Sequence, residues 1–401
     1  MKRLAIPMLL SILSSTVPAA AVPITEEIIA FETHDGLTLE GYLTHPNEGT
    51  GPFPGVLLIT GSGLHDADVT FSGGYGMKGI QKIYRGLAHD FSRQGFTVFR
   101  YNKRGASFNH VDDDPALLLS ADHDDLLEDA RNALGALIGH PKTAATGLTV
   151  VGNSEGVLLT IRLGVQHPEI DLLILIGSPA YKFAKSMRYQ KVDRYLYFAH
   201  EAADDNGDGF LTLEELDRLG GNHGRGSFHV SSIQSLLFDL EGEPDGSLSV
   251  LGFHPDIDTD GDDRVDIEGE LKPALVGAMR READGWKSGE MGRYGQSFFE
   301  FKAPIRYVHR VHGKILFAQG ELDIVTHISE TLALIEKLDQ HDRPWDAILF
   351  PKLGHTLSKS RDYYKQDGGL TILDNPTQNA PKKKIRLQII RRAKEMLDLG
   401  D

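Results

Sequence analysis

The sequence predicts an α/β fold: a mostly parallel sheet, opened by an antiparallel hairpin, with helices on both faces and a mainly helical insertion. Three observations carry this prediction. Short runs that are apolar throughout alternate with segments of helical spacing, as parallel strands buried on both faces require. That rhythm stops after Ser178 and resumes near residue 311. The first two β-like runs flank Asp35-Gly36, a dipeptide suited to a tight hairpin turn.

Residues 1–21 come first. Met1-Lys2-Arg3, an apolar run from Leu4 to Leu13 and small residues ending in Ala19-Ala20-Ala21 have the layout of an export signal cut after Ala21. An uncleaved anchor is the alternative, but the run is shorter than a bilayer span needs. The expectation is a secreted or periplasmic protein with no stable membrane anchor once the signal is removed. With no cysteine in the chain, a lipoprotein anchored through an amino-terminal cysteine, disulfides, thiol nucleophiles and thiolate metal sites are excluded.

The hairpin is expected over Glu26–Phe31 and Leu37–Leu43, followed by strands at Gly55–Thr60, Phe96–Asn102, Leu148–Asn153 and Leu172–Gly177. Helical spacing falls between them, at Ile83–Arg93, Asp124–Ile138 and Gly156–Gln166. After the interruption come a strand at Lys314–Gln319, a helix at Ile328–Leu338, a strand at Ala347–Phe350 and a closing helix around Ile385–Leu397. The sheet domain therefore reads as 22–178 and 311–401, and 179–310 as a cap packed on it. Within the cap, Tyr189, Tyr195, Tyr197 and Phe198 have the spacing of a small core, or of an acyl pocket.

Chemistry concentrates at Leu148 to Gly156, where a buried strand runs into Gly152-Asn153-Ser154-Glu155-Gly156 and then a helix. A tight strand-to-helix turn presenting a serine needs small residues on both sides, because bulk there would strike the neighbouring elements. With this context the sequence resembles the α/β-hydrolase superfamily over roughly 25–178 and 311–400. Gly61-Ser62-Gly63 with Asp66, Tyr101-Asn102-Lys103-Arg104-Gly105 and Asn153-Ser154-Glu155-Gly156 look like its bacterial esterases and serine aminopeptidase-like hydrolases. Asn153 departs from the histidine common there.

The resemblance implies a serine, acid, histidine order along the chain. Asp323, just past the strand ending at Gln319, and His355, just past the strand ending at Phe350, fall at the matching places, with Glu321 as rival acid. His355 would take the proton of Ser154, and Asp323 would fix its tautomer. The family's oxyanion donors correspond to the backbone N–H groups of Ser62 and Glu155; a plain tight turn is the alternative for the Ser62 loop.

The net charge of −15 argues against nucleic acid as a partner, and it is concentrated in the insertion: 19 acidic residues face three basic ones between Glu201 and Glu270. Part of this is patterned. From Asp204 to Glu215 the chain reads as a complete EF-hand loop, with side-chain oxygens at Asp204, Asn206, Asp208 and Glu215 and the backbone carbonyl of Phe210. A weaker, irregular repeat offers Asp258, Asp260, Asp262 and the carbonyl of Arg264, with Asp263 in place of the usual glycine and either Glu268 or Glu270 as last ligand; a register starting at Asp256 is the alternative. Structural calcium at both loops is the expectation, with a regulatory ion as the alternative. These readings give a secreted serine hydrolase acting on small esters or acyl peptides. An exopeptidase or amidase with the same three residues is the chemical rival, and a calcium-dependent binding protein on an inactive scaffold the rival from another class.

Overall fold

The computed structural model describes residues 22–71, 79–216, 237–242, 248–358, 363–365, 371–373 and 380–400. The expected export signal, 1–21, lies outside them. Eight strands form the main sheet: β1 Ile24–Glu32, β2 Thr38–Pro46, β3 Gly55–Ile59, β4 Thr97–Tyr101, β5 Thr149–Asn153, β6 Leu172–Ile176, β7 Lys314–Gly320 and β8 Trp345–Phe350. Their spatial order is β1-β2-β4-β3-β5-β6-β7-β8. The opening hairpin pairs antiparallel from Ile24↔Pro46 to Glu32↔Thr38, and β2 pairs antiparallel with β4. Every other neighbour in the sheet is parallel.

Side chains alternate across each strand, and the core divides accordingly. Leu57, Ile59, Val150, Leu173, Leu175, Ile315 and Phe317 face one side, under α2 (His123–Gly139), α3 (Glu155–Gln166) and, beyond the insertion, α6 (Ile328–Asp339). Val56, Leu58, Val151, Ile174, Leu316 and Ala318 face the other, under α1 (Ile83–Arg93) and α7 (Lys383–Met396). Two helices of the insertion, α4 (Lys272–Ser288) and α5 (Gly292–Glu300), directly precede β7 in the chain.

One strand breaks the apolar pattern. Arg100 in β4 is fully buried, where Asp68 (2.9 Å), Thr44 (2.9 Å) and Glu26 (2.8 Å) accept its hydrogen bonds. Burial alone would raise the Glu26 carboxyl, yet His89 and Arg100 hold it down at about 2.

The insertion has a core of its own. Val192, Tyr195, Phe198, Leu211, Val265, Ile267 and Leu271 cluster apart from both faces of the sheet. Two of the four aromatic residues marked in the sequence thus serve this core, while Tyr197 is 47% exposed and the Tyr189 hydroxyl donates to the Asp323 carbonyl at 3.2 Å. Among the described residues no helix is long and apolar enough to cross a membrane.

The chain leaves β3 toward β4 on one side and later returns to its other side as β5. Open α/β sheets bind ligands beyond the carboxyl ends of the strands where the order reverses in this way. The loop after β3 and the turn after β5 meet at that point.

Candidate active site

Ser154 sits between β5 and α3 with φ 55° and ψ −119°. A non-glycine residue in this region is strained, at a cost of about 1–3 kcal/mol. The turn is held by the Ser154 amide, which donates to the Ile176 carbonyl at 2.9 Å, and by the absence of side chains on either flank. A Cβ on Gly156 would lie 2.5 Å from the Ile59 carbonyl oxygen and 2.7 Å from that of Thr60, and one on Gly152 would strike Thr160 Oγ1. Glycine at both places lets the turn press against β3.

His355 Nδ1 lies 2.8 Å from Asp323 Oδ2. Asp323 is buried, and its second oxygen, Oδ1, accepts from the amides of Val325 and Thr326, both at 2.8 Å. Gln319 Nε2 donates to Oδ2 at 3.1 Å. Gly177, at φ 60°, lies against the pair; a Cβ there would be 2.7 Å from His355 Cε1. The rival acid Glu321 is exposed, its amide donates to the Phe350 carbonyl at 3.1 Å, and the carboxylate paired with His355 is that of Asp323. Asn153 donates from Nδ2 to the Ile176 carbonyl at 3.2 Å.

Ser62, Ser154, Glu155 and His355 line one cavity of about 390 Å³. Its walls are largely apolar. Ile83, Leu87 and Ile389 come from one face of the sheet, and Phe183, Trp286 and Phe298 from the insertion. Sequence reasoning missed these last three; for Trp286 and Phe298 the one signal is aromatic residues at helical spacing in 286–301.

Glu155 places its backbone at the first position of α3, where an amide has no partner inside the helix. Its carboxylate points into the protein. Lys103 Nζ donates to Glu155 Oε2 at 2.6 Å and to the Gly61 carbonyl at 2.5 Å. His123 Nε2 lies 3.1 Å from Glu155 Oε1, and its Nδ1 is 2.5 Å from Ser297 Oγ of α5. Burial would raise this carboxyl, but Lys103 and His123 together bring it down to about 2 from an ordinary value of 4.5. His65, which also lines the cavity, is pushed down to about 4 by burial and by the charge of Lys103, so a second, neutral imidazole faces the site.

Because Glu155 titrates lower in the folded chain than in the unfolded one, its stabilisation is complete above about pH 4.5 and is lost as pH falls through about 2. The Glu155→Gln variant leaves Lys103 buried without its counter-charge, and the expected loss is about 3–5 kcal/mol at neutral pH. Denaturant melts between pH 5 and 2 check this. An equal acid sensitivity in parent and variant would refute the assignment.

The acidic loops of the insertion adopt one shared geometry. The Asp204 carboxylate accepts from the amides of Gly207 (2.8 Å), Asp208 (3.1 Å) and Gly209 (2.8 Å). Asp258 does the same with Gly261 (2.8 Å), Asp262 (3.2 Å) and Asp263 (3.0 Å). Asp258 thus accepts in its loop the same set of amides that Asp204 accepts in the first. Asp263, at φ 60°, takes the backbone shape that Gly209 has at φ 86°, which aspartate tolerates better than most residues. Between the loops, Phe210–Thr212 pairs antiparallel with Arg264–Asp266, Leu211 opposite Val265.

The two glutamates near the end of the second loop differ in their contacts. Glu215 accepts from the amides of Asp205 (3.2 Å) and Thr212 (3.0 Å), and Glu270 from those of Thr259 (2.8 Å) and Asp266 (2.9 Å). Glu268 instead turns outward to His200 (3.2 Å) and Lys272 (2.5 Å). The second loop carries one extra residue before its glutamate, taken up in a π-helical turn at Ile267–Leu271. The carboxylates of Asp258, Asp260 and Asp262 approach within 4.8 Å of one another. Arg264 reaches across to Asp208 at 3.3 Å.

Comparison with known proteins agrees with this fold. A family model described as serine aminopeptidase, S33, matches residues 65–203, and one described as the prolyl oligopeptidase family matches 279–367. The chain is similar to esterase EstD of Thermotoga maritima, 32% identical over 152 residues, which is 38% of this chain and 33% of that protein. It thus spans about a third of the length of the curated relative it matches. Among solved structures, a hypothetical protein of Pseudomonas aeruginosa gives a TM-score of 0.47 at 13% identity, covering 90% of this chain and 95% of that one. An esterase of Pyrococcus furiosus gives 0.47 at 12%, covering 94% and 91%. The sheet and its covering helices have the α/β-hydrolase fold, and both matching family models describe hydrolases.

Proposed function

We propose that the protein is an exported serine esterase that cleaves small to medium acyl esters through an acyl-enzyme, with an insertion stabilised by calcium. The observation that carries the reading is the strained Ser154 turn sharing a cavity with a His355 imidazole held at 2.8 Å by buried Asp323. In this scheme His355 Nε2 takes the proton as Ser154 Oγ bonds to the ester carbonyl carbon. The oxygen that gains charge is met by the amides of Ser62 and Glu155. Collapse of the tetrahedral adduct breaks the C–O bond to the alcohol, which leaves with the proton from His355, and water then releases the acid by the same steps reversed.

The apolar walls favour an acyl or aromatic group. A serine exopeptidase would use the same three residues, and both matching family descriptions name peptidases. Recognition of a free α-amino group calls for an unpaired carboxylate at the cavity. Among the described lining residues the only acid is Glu155, which is already paired with Lys103, so the ester reading is favoured.

Calcium fits the two loops: Asp204, Asn206, Asp208, the Phe210 carbonyl and Glu215 would hold one ion, and Asp258, Asp260, Asp262, the Arg264 carbonyl and Glu270 a second. The ion would supply charge neutralisation and cross-linking, and no catalytic step passes through it. The export reading rests on the pattern of residues 1–21.

The test is intact mass after exposure to a fluorophosphonate, which reports an activated serine without requiring the natural substrate. The expected result is one adduct on the parent and none on Ser154→Ala. No adduct on the calcium-loaded parent would turn the reading to a binding protein on a hydrolase scaffold.

A further inference from the structure

An oxyanion hole built from two chain segments works only if the segments keep their spacing to within a few tenths of an ångström. Here one donor belongs to the loop after β3 and the other to the start of α3. Two side chains bridge these segments. Lys103, from the loop after β4, joins the Gly61 carbonyl to Glu155 Oε2. The other bridge comes from the insertion: the Tyr294 hydroxyl of α5 accepts from the Gly63 amide at 2.9 Å, and the Glu155 carboxylate and the Ser62 side chain are its other polar neighbours. Ser62 therefore lies between a residue tied to Lys103 and a residue tied to Tyr294.

We infer that Tyr294 is a positioning residue for the oxyanion hole, its hydroxyl fixing the loop at Ser62 against the Glu155 end of α3. The inference rests on the serine-hydrolase reading. Tyr294 is buried, 3% exposed, and its helix is firmly seated. Arg293 Nη1 donates to the Ser120 carbonyl at 3.3 Å, Ser297 meets His123, and Phe298 packs edge-on to the His123 ring with centroids 4.5 Å apart. A rigid helix can therefore hold the loop, and the oxyanion hole is assembled partly by the insertion. A chain lacking the insertion's α5 would keep Ser154, His355 and Asp323 but lose one of the two bridges.

The experiment is the Tyr294→Phe variant, which removes one oxygen and keeps the ring packing. Parent and variant are first titrated with fluorophosphonate to count labelled serines, and ester hydrolysis is then measured per labelled site, well below each protein's own melting midpoint. Loss of folded enzyme thereby drops out of the comparison. The expected result is a fall in kcat of about tenfold to a hundredfold with KM within about threefold, less than the 10²–10³ for deleting a donor outright. Affinity for a boronic acid transition-state analogue should weaken by the same factor. An unchanged kcat, or a raised KM with kcat intact, would overturn the inference while leaving the nucleophile in place. A parent that takes no label would overturn the serine-hydrolase reading itself, and the inference with it.

Discussion

Alanine at Ser154 is expected to lower kcat for ester hydrolysis by a factor on the order of 10⁴–10⁶, and asparagine at Asp323 to lower it by about 10⁴. The first follows from removal of the only atom that forms the acyl-enzyme. The second follows from how Asp323 is held. Its Oδ1 accepts two backbone amides, Val325 and Thr326, while Oδ2 accepts from His355 Nδ1 and Gln319 Nε2. In Asp323→Asn the remaining oxygen stays with the two backbone donors, so the new NH₂ group faces His355 and Gln319. His355 must then present Nδ1 as an acceptor, which puts its proton on Nε2, the atom that has to receive the proton of Ser154. Geometry survives and the tautomer is wrong. Steady-state rates with an activated ester check both variants, and fluorophosphonate labelling of Asp323→Asn should slow in parallel while its melting midpoint stays close to that of the parent. Retention of a tenth of the parent rate by either variant would remove that residue from the mechanism.

The sheet was legible because its central strands, Arg100 in β4 apart, are largely apolar on both faces and the covering helices keep their own period. Ile83–Arg93 emerges with the bounds expected, and the other core elements shift by one or two residues at their ends, where hydrogen-bonding partners rather than composition decide. The hairpin is longer than expected: Thr44 to Pro46 belongs to β2, and Thr44 is also bonded to Arg100. A single buried arginine paired with Asp68 and Glu26 leaves no local pattern, since its partners lie 32 and 74 residues away along the chain. The same holds for the site. A short motif marks Ser154, but the Lys103, Glu155, His123 and Tyr294 cluster joins four separate segments. It follows from packing that periodicity does not encode. The second acidic loop was ambiguous for a simpler reason, because an extra residue shifted its glutamate, and only the backbone amides that Glu270 accepts distinguish it from Glu268.

Chelation of calcium is expected to lower the melting midpoint of the whole chain, with the insertion opening first. Its core, built on Leu211, Val265, Ile267 and Leu271, is separate from the two that hold the sheet. Without cations, the carboxylates of Asp258, Asp260 and Asp262 repel one another within 4.8 Å. An ion present at a hundred times its dissociation constant stabilises the folded form by about 2.7 kcal/mol per site, so two sites are worth roughly 5 kcal/mol. The loss should spread along one continuous path. Glu270 ends the second loop, Leu271 leads directly into α4, and α4 carries Trp286 to the wall of the active-site cavity, where it stacks on Phe183 with centroids 5.3 Å apart. Removing calcium should therefore redden Trp286 emission at temperatures where the sheet is intact, and restoring calcium, but not magnesium at equal concentration, should reverse it, since the smaller ion resists a cage of protein oxygens. The Glu215→Gln variant weakens the first loop and, because Leu211 and Val265 share one short sheet, should cost more than half of the calcium-dependent rise in melting midpoint. Scanning calorimetry with and without chelator, read alongside Trp fluorescence, decides it: a midpoint and a spectrum both indifferent to calcium would mean that these loops are held by their own hydrogen bonds and carry no structural ion.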